Sequence, residues 1–172
     1  MSGVTTALVR ASTFITLDAA GEATDGQTLV VGSKTYTFRA TVGALDGSVH
    51  IGATVADTVA NLVAAVNLDA TQGETGSGAG TDYGTAMTRN PDVFAVDGTT
   101  IVTFYAHVPG SIGNHIPVAN GTATTTVDNA TLENGTGIIG DFFDELMAGV
   151  QLNSEAIAHL RPFSVDVGSA VD

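Results

Sequence analysis

Two stretches of this chain have the sequence pattern of β-hairpins, and they constrain the fold more than any other feature. Residues 27–40 read QTLVVGSKTYTFRA, and residues 93–108 read VFAVDGTTIVTFYAHV. In each stretch, two runs of β-branched and aromatic residues flank a short turn, at the pair Gly32-Ser33 in the first and at the pair Asp97-Gly98 in the second. A chain that contains two such hairpins is predicted to be rich in antiparallel sheet.

The alternation of side chains assigns faces within these hairpins. Because successive residues of a strand point to opposite sides of a sheet, Lys34, Tyr36 and Phe38 are predicted to share one face. A Thr-Phe pair follows the turn glycine at the same distance in both hairpins, so two similar hairpins are expected to pack together. Residues 12–17 (STFITL) predict a further strand, and residues 163–168 predict a short final strand or arm.

Between the hairpins, residues 54–67 have the pattern of an amphipathic helix. Thr54 stands at an N-cap position, and Asp57 three residues later completes a capping box. The apolar residues recur with the spacing of one buried stripe, which consists of Val55, Val59, Leu62, Val63 and Val66. Asp57, Asn61 and Asn67 fall off this stripe. Because the helix is rich in valine and alanine, it is suited to close packing on a sheet.

These elements predict an α+β, β-rich fold. It consists of an antiparallel sheet or sandwich, one packed helix at about 54–67, and a C-terminal helical arm. We predict an N-terminal strand or arm over residues 1–24, a β-rich core module over 25–135, and a C-terminal helix and arm over 136–172. The length of 172 residues fits one domain with its own hydrophobic core.

The C-terminal region carries a large apolar stripe. It consists of Phe142, Phe143, Leu146, Met147 and Val150. Two adjacent aromatic residues point to different sides of a helix, so one of the two is expected in a core and the other on the surface, with burial of both as the alternative. An outward phenylalanine beside Met147 would form an apolar patch, which is typical of a protein–protein contact. We therefore predict an interface at Phe142, Phe143 and Met147.

The charge of the chain disfavours nucleic acid as a direct ligand. The sequence has 18 acidic residues against five basic ones, which gives a formal net charge of −13. Binding a polyanion requires several lysine or arginine side chains against the phosphates. This chain cannot assemble such a patch, because Lys34 is its only lysine. Like-charge repulsion favours solubility, and it would also suit a wall along which DNA slides without binding.

Other classes of protein are disfavoured by composition. The chain has no cysteine, which excludes disulfides, thiolate nucleophiles and cysteine-based zinc sites. No apolar stretch approaches the roughly 18 residues that span a bilayer. The first residues lack the basic and apolar regions of a secretion signal. We expect a soluble protein that is made in a cytoplasm and does not enter a membrane.

The stretch PGSIGNHIPV, residues 109–118, has the composition of a small site. It places Ser111 between glycines and Asn114 beside His115. However, no GxSxG elbow surrounds Ser111, and none of the four histidines has a partner at HxH or HExxH spacing. We predict that His115 lies at the rim of a turn or in an interface. A metal-binding or catalytic role for His107 and His115, which flank one turn, is the alternative.

Two loops have a ligand-binding composition but lack the motif that each ligand requires. Residues 71–85 are rich in glycine, yet no lysine follows as in a phosphate-binding loop. Residues 128–137 carry acidic and amide side chains without the DxDxDG pattern of a calcium loop, so calcium is retained only as an alternative. Acidic residues near 141–145 are explained by a helix N-terminus. We predict no catalytic residue, no cofactor and no metal ion.

Three segments of the chain resemble a module that recurs in structural proteins of tailed bacteriophages. In chain order they are DGQTLVVGSKTYTF, IGATVADTVANLVAAVN and VTFYAHVPGSIGNHIPVA. In that module, a hairpin leads to a helix of the form IGATxxxTxxNLxxAxN, and a later strand enters a GxxGNxI turn. The resemblance covers about residues 25–120 and includes no catalytic residue. It implies that Gly113 and Asn114 form a turn, since both residue types tolerate left-handed backbone conformations, and that Ile116 returns to the core.

The resemblance implies a structural component of a tailed-phage virion that acts by self-assembly and docking. A tail protein of the tube, neck, baseplate or fibre attachment is expected, and a head decoration or cement protein on the capsid exterior is the alternative. An alternative of another class is a glycan-binding module for host-surface adhesion, which would need exposed aromatic residues such as Tyr36, Tyr83 or Tyr105. The expected partners are further copies of the chain and other virion proteins. The expected location is the virion, after synthesis in the host cytoplasm.

Overall fold

The computed structural model describes residues 7–17, 23–73, 78–121 and 125–137, which all belong to one compact unit. Within these ranges the chain forms eight β-strands, one α-helix and one 3-10 helix. The strands are β1 (Ser12–Leu17), β2 (Thr28–Val31), β3 (Lys34–Arg39), β4 (Ser48–His50), β5 (Val93–Asp97), β6 (Ile101–Ala106), β7 (Val118–Asn120) and β8 (Thr125–Val127). The helix α1 spans Val55–Asn67, and the 3-10 helix spans Ser111–His115. No helix in this part of the chain has the length and apolar composition needed to cross a membrane.

The strands form two four-stranded sheets. The first sheet has the order β5-β6-β1-β8, and all of its neighbouring strands are antiparallel. The second sheet has the order β4-β3-β2-β7, in which β3 and β4 are parallel and the other pairs are antiparallel. The two predicted hairpins therefore belong to different sheets, with β2 and β3 in the second sheet and β5 and β6 in the first.

The helix α1 connects the two sheets at one side. It begins after the N-cap Thr54, whose hydroxyl accepts a hydrogen bond from the Asp57 N–H at 3.2 Å, while the Asp57 carboxylate accepts one from the Thr54 N–H at 3.0 Å. This capping box satisfies backbone donors that have no partner within the helix. The helix contacts β5, an edge strand of the first sheet, and β4, an edge strand of the second sheet. The opposite edge strands of the two sheets, β8 and β7, contact each other directly.

One hydrophobic cluster contains residues from both sheets and from α1. Its largest fully buried side chains include Tyr36, Phe38, Phe104, Ile15, Leu29 and Leu62. Phe38 and Phe104 occupy corresponding positions in the two hairpins, and both are completely buried. The two hairpins thus contribute to a common core, as the sequence predicts.

The predicted α+β, β-rich class with one packed helix is confirmed, and so are the strand at 12–17 and the capped helix. The second hairpin turn was predicted at the pair Asp97-Gly98, and only Gly98 belongs to it. Asp97 pairs with Val102 within the ladder, so the turn consists of Gly98, Thr99 and Thr100, and Thr99 has a left-handed φ of 73°. The Asp97 carboxylate accepts a hydrogen bond from the Thr99 N–H at 2.7 Å. This side-chain contact favours the later turn, because it replaces a backbone hydrogen bond.

The buried face of α1 is wider than the predicted apolar stripe. Asn61 falls off that stripe but is completely buried, and its side-chain amide donates to the His50 carbonyl oxygen at 3.3 Å. Thr58 is also buried, and its hydroxyl accepts a hydrogen bond from the Gly52 N–H at 3.0 Å. A polar side of α1 therefore packs against the segment that follows β4.

Several predictions fall outside the described residues. These are the C-terminal helical arm with Phe142, Phe143 and Met147, and the strand at 163–168. The predicted boundaries of the core module at 25 and 135 also stay predictions.

Candidate functional site

The stretch 109–118 contains the 3-10 helix Ser111–His115, and hydrogen bonds join this stretch to the segments at Val9 and Gly135. Gly110 precedes the helix with a positive φ of 101°, and its N–H donates to the Val9 carbonyl oxygen at 2.9 Å. Asn114 binds both backbone groups of Gly135, because its Oδ1 accepts from the Gly135 N–H at 2.8 Å and its Nδ2 donates to the Gly135 carbonyl oxygen at 3.2 Å. The polar atoms of Asn114 are therefore engaged by the fold.

Gly113 is required by close packing and not by its backbone conformation. Gly113 and Asn114 can both tolerate left-handed backbone conformations, but neither adopts one here, since neither has a positive φ. A Cβ atom on Gly113 would lie 2.6 Å from the Ala106 Cβ and 2.9 Å from the Ala11 Cβ. The 3-10 helix therefore lies directly against the first sheet. Ile116 packs against the core after the turn, as predicted.

The two histidines beside this turn have different surroundings. His107 is half-buried, with its Nε2 at 3.2 Å from the Asn90 carbonyl oxygen and its ring 5.9 Å from that of Phe94. His115 is exposed at the end of the 3-10 helix. Ser111 is half-buried, and its N–H donates to the Gly137 carbonyl oxygen at 2.9 Å. Among the described residues, no group of three or more histidine, aspartate or glutamate side chains could hold a metal ion.

Exposed apolar side chains surround the turn and form a surface that we term the turn patch. It consists of Leu8, Val9, Val108 and Ile112. Ile112 is 66% exposed, and the backbone of Val9 pairs with Gly110 and Thr136, which places the two segments side by side. His115 ends the helix that carries Ile112, and its predicted interface role stays a prediction.

The inner face of the second sheet carries a polar cluster of Lys34, Asp46 and Thr88 that the sequence did not predict. The alternation places Lys34 beside Tyr36 and Phe38, and Lys34 is in fact only 8% exposed. Its Nζ lies 2.7 Å from the Asp46 Oδ1 and donates to the Thr88 carbonyl oxygen and hydroxyl. Burial raises the pKa of Asp46, but the hydrogen bonds from Lys34 and Thr88 outweigh burial and hold that pKa below its ordinary value. Lys34 and Asp46 form a structural ion pair.

Asn90 organises the neighbouring part of the interior. It is completely buried, and its Nδ2 donates to the Val31 carbonyl oxygen at 3.1 Å and to the Tyr36 hydroxyl at 3.2 Å. Its Oδ1 accepts from the N–H groups of Asp92 at 2.9 Å and Val93 at 3.1 Å. Burial raises the pKa of Tyr36 far above its ordinary value, so the phenol stays neutral. Sequence alone does not mark Asn90, because its partners come from separate segments.

The outer face of the first sheet carries a group of side chains that we term the aromatic face. It consists of Phe14, Phe94, Val96, Ile101 and Tyr105, which the strand register places on one side of β5, β6 and β1. The rings of Phe94 and Tyr105 stack at 5.3 Å with an interplanar angle of 18°. Phe14 is 37% exposed and Val96 is 46% exposed. The first sheet therefore presents apolar side chains to solvent as well as to the core.

Arg10 lies at one end of this face. Its guanidinium carbon is 5.5 Å from the centre of the Phe94 ring, which is within the range of a cation–π contact. Its Nη1 donates to the carbonyl oxygens of Ala106, at 2.8 Å, and His107. Arg10 thus anchors the chain before β1 onto the outer face.

A groove of about 420 Å³ lies where the C-terminal end of α1 meets β5, and we term it the edge groove. Its lining includes Asn67, Asp69, Gln72, Arg89, Phe94 and His107. The Asn67 side chain binds both backbone groups of Ala95, donating to its oxygen at 2.8 Å and accepting from its N–H at 2.9 Å. Asn67 therefore substitutes for a neighbouring strand at the edge of the first sheet, which protects this edge from pairing with another chain.

The edge groove carries charges of both signs. The N–H and hydroxyl of Thr71 donate to the Asp69 carboxylate at 2.9 and 2.8 Å and lower the pKa of Asp69, with a further contribution from Arg89. Within the described ranges, Arg89 is exposed and makes no hydrogen bond or ion pair, whereas Lys34 and Arg39 are paired with aspartates. The guanidinium of Arg89 is therefore available to a ligand.

The tyrosines named as candidate glycan contacts have different positions. Tyr36 and Tyr83 are buried, and only Tyr105 lies on an outer face. Tyr83 belongs to the glycine-rich loop, where its backbone pairs with Val49, and the nearby Asp82 carboxylate accepts from the Gly78 N–H at 2.8 Å. Residues 78–85 of that loop are thus bound to β4 of their own chain.

The chain matches no protein-family model, and no curated protein matches its sequence. Its function must therefore be inferred from the folded surface and from the sequence module. The surfaces that bear on it are the aromatic face, the turn patch and the edge groove.

Proposed function

We propose that the protein is a structural component of a tailed-bacteriophage virion and that it acts by self-assembly and docking. The aromatic face carries this proposal. Antiparallel sheets usually alternate between an apolar inner face and a polar outer face, but the first sheet has Phe14 and Val96 exposed beside the stacked Phe94 and Tyr105. An exposed apolar surface of this kind is typical of contacts between proteins.

The polar interior supports assembly in preference to catalysis. Three polar side chains that could otherwise carry chemistry are engaged by the fold. Lys34 pairs with Asp46, Asn90 binds groups of three strands, and Asn114 binds Gly135. Such networks fix one arrangement of the core. A rigid unit with an apolar outer face suits a repeated building block.

The position that we propose within the virion is the tail, with the tube, neck, baseplate or fibre attachment as the candidates. The order of the segments within residues 25–120 supports a phage structural protein, and the net charge of −13 suits a surface that does not retain DNA. Decoration of the capsid exterior is the alternative position.

Sedimentation velocity and electron microscopy of the purified full-length protein test this proposal. We expect trimers, rings or tubes that form as the protein concentration rises. A strict monomer at high concentration would contradict the proposal of a tail-tube subunit. Binding to preformed capsids by a protein that does not form rings would favour the capsid decoration.

A further inference from the structure

The edge groove has the size and position of a small-molecule site. Its volume of about 420 Å³ lies within the range of roughly 300–1,000 Å³ that ligand pockets occupy. It is lined by the end of α1, the following loop and β5, so its walls belong to elements whose backbone is fixed by hydrogen bonds such as those between Asn67 and Ala95. A ligand would meet a preformed surface.

The opposite charges of Arg89 and Asp69 favour a ligand without net charge. Arg89 supplies unused N–H donors, and the ionised Asp69 supplies an acceptor oxygen. A free anion would be attracted by Arg89 but repelled by Asp69, and a free cation would experience the reverse. A ligand whose groups both donate and accept hydrogen bonds satisfies both side chains. Hydroxyl groups have this property.

The remaining lining residues complete a surface for a ring that carries hydroxyl groups. Gln72 uses its Oε1 to accept from the Asn67 amide at 2.7 Å, which leaves its own amide N–H groups as donors. The ring of Phe94 reaches the groove from the aromatic face. Sugar rings present C–H groups on one face and hydroxyl groups at the rim, so an apolar aromatic surface beside Asp69, Gln72 and Arg89 matches both parts.

We propose that the edge groove binds a neutral carbohydrate, with Arg89, Asp69 and Gln72 bonded to its hydroxyl groups and with Phe94 beside its C–H groups. This site borders the proposed assembly surface, because Phe94 and Val96 line the groove and also belong to the aromatic face. Arg89, Asp69 and Gln72 lie outside the strands that form that face. The long-range repulsion from a chain of net charge −13 further disfavours acidic polysaccharides.

The test is a binding panel with the full-length protein. The probes are oligosaccharides of glucose, galactose, mannose and N-acetylglucosamine, with glucuronic acid and glucosamine as charged monosaccharides, first on an array and then by isothermal titration calorimetry. We expect at least one neutral oligosaccharide to bind and the two charged sugars to bind at least tenfold more weakly. Absence of binding by every neutral probe, or a preference for either charged sugar, would overturn the proposal.

Two variants locate the site without disturbing the fold. Arg89→Gln removes an exposed side chain that has no described partner, and Asp69→Asn keeps the oxygen that accepts from Thr71. Each is expected to weaken binding by about tenfold or more, because a charge-assisted hydrogen bond is lost. The matched control is Arg39→Gln, in a second groove of about 430 Å³, which is expected to bind as the unmodified protein does. Unchanged binding in both Arg89→Gln and Asp69→Asn would overturn the assignment, whereas the sedimentation result would be unaffected.

Discussion

The two sheets of this protein share one core but differ in the chemistry of both their faces. The inner face of the first sheet is mainly apolar but includes the buried Thr13 and Thr125, and its outer side carries the aromatic face. The second sheet buries Lys34 among its inner side chains. Its outer face is dominated by threonine, with Thr28, Val30, Thr35, Thr37, Arg39 and Ala119 on that side. The outer face of the first sheet also carries Ser12, Thr16 and Thr103, but its largest side chains are apolar, whereas threonine predominates on the outer face of the second sheet.

This difference separates two physical roles. The polar groups on the inner side of the second sheet are satisfied only in one geometry, because Asn90 and Lys34 bond to groups from several segments. The second sheet therefore specifies the arrangement of the core. The first sheet has large apolar side chains on its outer surface, so it is the sheet from which contacts are expected.

The largest expected effect is on the polar interior beside the second sheet. Asn90→Leu preserves the size of the side chain but leaves the Val31 carbonyl oxygen and the N–H groups of Asp92 and Val93 without their partner. We expect a loss of about 4 kcal/mol in the free energy of unfolding, since each buried unsatisfied group costs about 1–3 kcal/mol. Urea denaturation measures it. The control Gln72→Leu, at an exposed amide, is expected to change stability by less than about 0.5 kcal/mol, and equal losses in the two variants would contradict the central role of Asn90.

The next effect concerns the packing behind the first sheet. Gly113→Ala would place a Cβ atom 2.6 Å from the Ala106 Cβ, where neither side chain can rotate away. We expect a loss of about 2 kcal/mol, which is typical of an overpacked core. In the control Gly43→Ala the new Cβ atom has no neighbour within 4 Å, so the thermal unfolding temperature should be unchanged or slightly higher. A Gly113→Ala protein as stable as the control would mean that the 3-10 helix is not pressed against the sheet.

The structural features that depend on local sequence patterns were predictable from the sequence. Alternation in 34–39 placed Lys34, Tyr36 and Phe38 on one face, and the capping box fixed the start of α1, because both signals act over a few residues. The second turn was predicted one residue too early, because Asp97 ends β5 and its carboxylate accepts a hydrogen bond from Thr99 in a three-residue turn.

The candidate sites were less predictable, because tertiary contacts create them. Ser111, Asn114 and His115 give the stretch 109–118 the composition of a small site, but the hydrogen bonds of Asn114 join its turn to the segment at Gly135. Arg89 and Asp69 lie 20 residues apart in a loop region, and only the position of β5 combines them with Phe94 in one groove. The spacing of residues along the sequence cannot predict a contact that depends on tertiary structure in this way.

The ion pair at the second sheet gives a smaller, pH-dependent effect. Because the pKa of Asp46 is lowered by folding, its ionisation stabilises the native state above the ordinary pKa of 3.8, and this stabilisation is lost as the pH falls through the lower folded-state pKa. Lys34→Met removes one cause of that lowering, with an expected cost of about 1 kcal/mol at pH 7. The stability difference between the two proteins should therefore shrink between pH 5 and pH 2, which urea titrations at each pH measure.

The exposed pair of Arg39 and Asp25, with a separation of 3.7 Å, provides the control for this prediction. Arg39→Met is expected to cost less than about 0.5 kcal/mol at pH 7, because both side chains are solvated. A Lys34→Met difference that stays constant with pH would contradict the role of the Lys34 contact in lowering the pKa of Asp46.

Substitutions on the aromatic face are expected to have the smallest effect on folding. They also test directly which of the two outer faces forms the contacts. The double variant Phe14→Thr/Ile101→Thr gives the first sheet a threonine surface like that of the second, and it should change the free energy of unfolding by less than about 1 kcal/mol because Phe14 is partly solvated already. Sedimentation velocity should nevertheless reveal self-association weakened by at least tenfold, since apolar side chains at the centre of an interface carry most of its energy. Val30→Thr removes an apolar side chain from the second outer face and should leave assembly unchanged. If Val30→Thr weakens assembly and the double variant does not, the contacts belong to the second sheet, and its threonine-rich face would be the one that other copies cover.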